Sequence, residues 1–121
     1  MPPGEKGMTD QLRIESESGA RHGRRIIRLA GRVSLETVPA FLKVLRAEQS
    51  SVVILDFSQV VSIDSAGVGS LIQLHVTYQK NGQLLALAAI SSRVEAVLDI
   101  AHVKKIFRTF PTVEAAEEAL G

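Results

Sequence analysis

The chemically suggestive residues of this chain sit together at Asp64-Ser65, followed by Ala66 and then Gly67-Val68-Gly69. An acid and a hydroxyl ahead of small residues suit the first turn of a helix, where four backbone N–H groups lack an intrahelical partner. One side chain can accept from those groups, and the other remains a hydroxyl that can be modified. A phosphate on Ser65 would lie at the positive end of the helix dipole, a gain of roughly 0.3–1 kcal/mol. Gly67 and Gly69 keep the turn bare and let another molecule approach its backbone. The commonest role of such a pair is a plain N-cap, and pattern alone favours that role.

Other chemistries find little support. A dinucleotide-binding loop starting at Gly67 needs a third glycine at position 72, which is Ile72, and no Gly-Lys-Ser/Thr follows for a P-loop. Ser65 lacks the Gly-x-Ser-x-Gly elbow of a hydrolase. His75 lies in the helix that Ser65 opens and reads as a packing residue, while His22 and His102 have no evident orienting acid. With no Cys and three dispersed His, no metal-ligand cluster is visible. The expectation is a protein with no catalytic residue, cofactor or metal. Arg21, Arg24, Arg25, Arg28 and Arg32 form a basic cluster. It reads as the solvated side of a hairpin in preference to an anion-binding or acidic-protein surface. Phe41, Phe57, Tyr78, Phe107 and Phe110 are spread along apolar segments, as core residues are, so no stacking platform for nucleic acid is seen.

The rest of the chain must position that one site. It has 121 residues, 45% of them apolar and 22% charged, with a net charge of +1. This supports one compact core and no field strong enough to attract nucleic acid or an acidic membrane. The longest apolar run, at 84–90, is far short of the roughly 20 residues of a membrane span. Residues 1–10 (MPPGEKGMTD) carry no apolar signal-peptide core and read as a flexible lead to a single domain at 11–121. A soluble, cytoplasmic protein without membrane insertion is expected.

Alternation at 12–16 and an apolar-basic run at 24–30, separated by a turn with Gly19 and Gly23, predict a hairpin that Gly31 ends or bends. Val38, Phe41, Leu42 and Leu45 make one helical stripe within 34–48, with Pro39 placing the helix start near Ser34 or Thr37. A buried strand at 52–55 ends at Asp56, and 57–62 reads as a loop. A helix at 66–80 carries Val68, Leu71, Ile72, His75 and Gln79 on one face and stops at Asn81-Gly82. A buried strand at 83–90, a capping box Ser92-Arg93-Val94-Glu95 opening a helix to Ile100, a short edge strand at 104–108 and a helix at 112–120 complete the order. The fold class is α/β: an opening hairpin and then αβ alternation give a mixed β-sheet of about 4–5 strands with helices packed on it.

The segments Leu55-Asp56-Phe57-Ser58 and Ile63-Asp64-Ser65-Ala66-Gly67-Val68-Gly69-Ser70-Leu71 resemble the signature of STAS domains, in a style similar to bacterial anti-sigma factor antagonists. The resemblance extends over about residues 12–120. It implies a mixed sheet with helices mainly on one face. It also implies that the serine after the aspartate, Ser65, is phosphorylated by a protein partner, an anti-sigma factor with serine kinase activity. The unphosphorylated antagonist binds that partner and frees a sigma factor. The next family position, often a second hydroxyl, is Ala66, so Ser65 is the single candidate in the motif. The family often carries an acid three residues after the strand glycine, whereas Gly31-Arg32-Val33-Ser34 has none.

The expected partner surface therefore comprises Arg32 and Ser34, Ser58 and Ser62, and Asp64, Ser65, Ala66, Gly67 and Val68. Ser65 is the expected phosphorylation site. A monomer or weak dimer without direct nucleic-acid contact is expected. The same fold also serves non-phosphorylated STAS subunits of transport complexes or signalling scaffolds, which is the alternative. A nucleotide-binding enzyme ranks last.

Overall fold

A computed structural model describes residues 11–120. The expected lead at 1–10 lies outside the described residues. Strands β1 (Leu12–Ser18) and β2 (Arg24–Val33) pair antiparallel, with Leu12 opposite Gly31 and Ser18 opposite Arg25. Strands β3 (Val52–Ile63), β4 (Leu84–Ala88) and β5 (Arg108–Phe110) add in parallel, in chain order, to make one five-stranded mixed sheet.

Helices α1 (Val38–Ala47), α2 (Ser65–Lys80) and α3 (Ser92–Ile100) are the successive crossovers, and α4 (Val113–Leu120) follows the last strand. Right-handed crossovers that always step the same way along a sheet leave their helices on the same face. Ile27, Leu29, Val53, Leu55, Leu85 and Leu87 point into that helical layer, where Phe41, Leu45, Leu71 and Leu74 meet them. Ile26, Ile54, Ala86 and Ala88 point the other way, against Val113 and Ala116 of α4. The central strands are buried on both sides, which explains their near-continuous apolar sequence.

Several boundaries differ from expectation. Residues 57–62 are not a loop: β3 runs on to Ile63 and pairs there with β2 alone, because β4 reaches only as far as Ala88 opposite Asp56. Register shifts between Arg28 and Ala30 and between Gly31 and Arg32 absorb the polar residues that break the alternation. Phe57, Val60 and Ile63 are buried at a spacing of three, which no regular strand period would reveal. Gly31 stays within β2 at φ +123°, and a side chain there would collide with the Gln11 carbonyl oxygen.

The first helix begins at Val38, after a turn through 34–37 in which Thr37 is fully buried. The second faces inward through Gly67, Val68, Ser70, Leu71, Leu74 and Tyr78, whereas Gln79 is exposed, so its buried stripe is rotated from the predicted one. The Tyr78 hydroxyl donates to the Leu45 carbonyl at 2.6 Å, which lets this amphipathic side chain be fully buried. The cap of α3 is Ser91, one residue earlier than predicted, accepting from the Val94 N–H, and Glu95 instead pairs with Lys104. Lys104–Ile106 is a 3-10 turn, and the edge strand follows it as β5. His75 packs edge-on to Phe107 at 5.6 Å between centroids, in the packing role expected of it.

Candidate functional site

The site forms where β2 and β3 end together and the chain turns into α1 and α2. Val33 and Ile63, the last residues of the two strands, are register partners. The Asp64 N–H then donates to the Val33 carbonyl at 3.2 Å, holding the start of α2 against the end of β2.

Asp64 is the N-cap. Its Oδ1 accepts from the Gly67 N–H at 2.9 Å and its Oδ2 from the Leu35 N–H at 3.1 Å. One carboxylate therefore satisfies a first-turn donor of α2 and fastens the β2–α1 turn to it. Ser65, the first residue of α2, is exposed, and its hydroxyl makes no hydrogen bond among the described residues. Capping is thus the work of Asp64, and the neighbouring hydroxyl is left available.

Gly67 is buried and sits at the closest approach of the two elements. A β-carbon there would lie 2.6 Å from Ile63 Cγ1 and 3.0 Å from Val33 Cγ1, with the Val33 carbonyl oxygen closer still. Gly69 has nothing within 4 Å of its would-be β-carbon and faces outward. The two glycines of the motif therefore have different physical reasons: one is close packing, the other an open surface.

The predicted site residues do not all converge. Asp64, Ser65, Ala66, Gly67 and Val68 form the first turn of α2 and its cap. Ser62 and Arg32 are register partners near the strand ends, and Ser34 begins the turn after β2. The Ser34 N–H donates to Thr37 Oγ1, which itself donates to the Arg32 carbonyl at 2.8 Å, while the Ser34 Oγ is buried with no partner among the described residues. Ser58 is separated from this group. It lies within β3, five residues before Ile63 and so about 16 Å back along the strand, and its N–H donates to the Asp56 carboxylate at 2.9 Å.

Leu35 and Thr37 belong to the site and were not among the predicted residues. Leu35 is 69% exposed while its N–H is held by Asp64, and Val61 nearby in β3 is 54% exposed. An isolated exposed leucine in a turn carries no periodicity, so the sequence offers no signal for it. Thr37 did carry one, as a hydroxyl ahead of Val38-Pro39 at a helix start.

Arg21, Arg28 and Arg32 of the arginine cluster are exposed and Arg24 and Arg25 half-buried, as a solvated hairpin side should be, and Arg24, Arg25 and Arg28 are paired within the chain. Arg24 donates to the Leu120 carbonyl at the end of α4, and Arg25 pairs with Glu48 at 3.5 Å. Arg28 bridges Glu17 and the buried Asp56 carboxylate, the latter at 2.5 Å. Among the described residues no group of acids and histidines is arranged to hold a metal ion, and no helix is long and apolar enough to cross a membrane.

Comparison with known proteins agrees with this geometry. A Thermotoga neapolitana protein named as an anti-sigma factor antagonist is 34% identical over 70 residues. That match covers 57% of this chain, and the chain spans 62% of the relative's length. The crystal structure of an anti-sigma factor antagonist from Mycobacterium paratuberculosis superposes with a TM-score of 0.79 at 19% identity, covering 93% of this chain and 96% of that one. A sulfate transporter family protein from Wolinella succinogenes superposes at 0.74 and 22% identity, covering 85% and 90%. These two likenesses concern the fold, which antagonists and transporter proteins share. The STAS domain model itself matches residues 13–116, from the first strand to α4 and through the Asp64–Gly67 turn, and on that match the chain belongs to the STAS domain family.

Proposed function

We propose that this chain is an anti-sigma factor antagonist that docks through the Ser65 end of the sheet onto a kinase-type anti-sigma factor and thereby frees a sigma factor. Phosphorylation of Ser65 by that partner ends the docking. The observation that carries this reading is the division of labour at the helix start: Asp64 holds the Gly67 and Leu35 N–H groups, and Ser65 stands exposed beside it with a free hydroxyl.

The chain needs no chemistry of its own for this role. The partner supplies ATP and transfers the phosphoryl group, and the domain supplies a rigid acceptor. A phosphoserine adds about −1.5 to −2 charge at pH 7, next to the Asp64 carboxylate. A switch of 100- to 1,000-fold in affinity requires about 2.7–4.1 kcal/mol. Burying an unpaired charge at an interface costs about 3–5 kcal/mol, and the α2 dipole returns at most about 1 kcal/mol of it. One phosphate is therefore sufficient. Exposed Leu35, whose N–H is held by Asp64, supplies apolar surface at the site for the unphosphorylated complex.

The test is calorimetric binding of the wild type, Ser65→Ala and Ser65→Asp to a kinase-type anti-sigma factor from the same organism, with the mass of each form measured after incubation with ATP. Wild type and Ser65→Ala bind, Ser65→Asp binds at least about 100-fold more weakly, and wild type alone gains a phosphate. Equal affinity of all three forms refutes the switch. The fold shared with the Wolinella transporter family protein supports a second reading, a non-phosphorylated STAS subunit of a transport complex. That reading predicts no phosphate on Ser65 in protein isolated from its host and co-purification with a transporter subunit.

A further inference from the structure

Ile100, the last residue of α3, is 78% exposed, the most of any large apolar side chain among the described residues, and Ile106 in the 3-10 turn that follows is 41% exposed. Between them the chain folds back at His102, which follows the C-cap residue Ala101 and stands at φ +59°, a conformation usually left to glycine. The turn is held by two bonds, from the Val103 N–H to the Leu98 carbonyl and from the His102 N–H to the Asp99 carbonyl, each at 3.0 Å. This pair is the Schellman closure of a helix, and it fixes the end of α3 against the 3-10 turn. A hollow of about 390 Å³ opens at this corner, lined by Asp99, His102, Lys104 and Lys105.

The charges of the corner are only partly used. Lys104 pairs with Glu95. The Asp99 carboxylate lies near enough to help hold Lys104 charged but forms no ion pair, and among the described residues Lys105 forms none either. One acid, one base and two isoleucines are therefore left exposed at a single hollow. Such a surface does not suit a partner of one charge sign, since an acidic segment meets Asp99 and a basic one meets Lys105. It suits its own copy, because a two-fold axis sets each acid against the other copy's base.

We propose that this corner is a self-association surface, with the α3 ends of two copies packed about a two-fold axis. Ile100 and Ile106 of each copy meet those of the other at the centre, and Asp99 of each pairs with Lys105 of the other at the rim. The contact is isologous and closes as a dimer. Strands β3, β4 and β5 are parallel, so the corner that precedes β5 lies at the end of the sheet where those strands begin, whereas Ser65 follows the end of β3. The dimer leaves the Ser65 end open on both copies, and the inference does not depend on the role of Ser65.

Sedimentation of the full 121-residue chain over a range of concentrations tests it. Wild type shows reversible dimerisation. Asp99→Lys or Lys105→Glu turns both rim pairs repulsive and weakens the dimer by about tenfold or more. An equimolar mixture of the two variants regains association, because one copy then presents two bases and the other two acids. Ile100→Ser weakens the dimer at low and high salt alike, since the contact it removes is apolar. The far-ultraviolet circular dichroism of each variant matches wild type, since all three positions are exposed. A wild type monomeric at every concentration, a dimer indifferent to Ile100→Ser or to the single reversals, or a mixture no stronger than either variant alone overturns the proposal.

Discussion

Replacing each glycine of the α2 start by alanine, one at a time, changes stability in opposite directions. In a regular helix both changes favour the folded state by about 1 kcal/mol, because alanine loses less backbone entropy on folding. At Gly69 nothing opposes this, since no atom lies within 4 Å of the added methyl group. At Gly67 the methyl group meets Ile63 Cγ1 at 2.6 Å, Val33 Cγ1 at 3.0 Å and the Val33 carbonyl oxygen. Moving out to an ordinary contact requires the helix start to retreat by about 1 Å. That retreat stretches the bond from the Asp64 N–H to Val33 and the bond from the Leu35 N–H to Asp64.

Overpacking costs about 1–3 kcal/mol and each weakened hydrogen bond about 1 kcal/mol, so Gly67→Ala is destabilised by about 3 kcal/mol net of the helix gain. Gly69→Ala is stabilised by about 1 kcal/mol. With a urea dependence of about 1.5 kcal/mol per molar, the midpoint falls by about 2 M for the first variant and rises by about 0.7 M for the second. Equal midpoints for the two variants, or a fall at Gly69→Ala, would refute the claim that close packing at position 67 and open surface at 69 explain this motif.

Asp64→Ala removes the acceptor for both Gly67 and Leu35 and should cost about 1–2 kcal/mol in denaturant titration, while Ser65→Ala, whose hydroxyl is unbonded, changes stability by less than about 0.5 kcal/mol. Tyr78→Phe loses the buried hydroxyl bond to Leu45 and should lower stability by about 1 kcal/mol with no change in the secondary-structure spectrum. Burial pushes the Glu48 carboxyl up, but hydrogen bonds from the Ser50 hydroxyl and N–H, together with Arg25, outweigh it and hold the group below its ordinary value. Its folded-state pKa is depressed, so its contribution is complete above the unfolded value of about 4.3 and disappears as pH falls through the lower folded value. Urea midpoints measured from pH 6 downward should therefore fall less steeply for Glu48→Gln than for wild type, and identical slopes would count against the pairing.

The parts of this protein that could be read directly are those where one local rule dominates. Continuous apolar residues at 52–55 and 84–88 are buried strands because helices cover both faces of the sheet. The hairpin turn, the Asn81-Gly82 stop and the Asp64 cap each follow from a few adjacent residues. The misread parts involve two rules in competition. Polar Ser58 and Gln59 look like a loop, yet pairing with β2 and the bulges around them keep them in the strand. Ser92 and Glu95 form a plausible capping box, yet Ser91 takes the cap and Lys104 takes the glutamate. The predicted α2 stripe through Ile72, His75 and Gln79 is rotated from the buried one through Ser70, Leu74 and Tyr78, because close packing of the helix start at Gly67 sets which face turns inward.

The sequence by itself determined the α/β class, a capped helix start at Asp64-Ser65 and the presence of a single hydroxyl at the motif's candidate position. It did so because capping and strand burial depend on neighbours a few positions away. Tertiary structure alone decided that Leu35 is tied to Asp64, that Ser58 lies well back along β3, that Arg28 pairs with the buried Asp56, and that Gly67 has no room for a side chain. The Leu35–Asp64 bond, the Arg28–Asp56 pair and the Gly67–Val33 contact each join segments about 28–34 residues apart at a defined register, and local composition holds no record of that register.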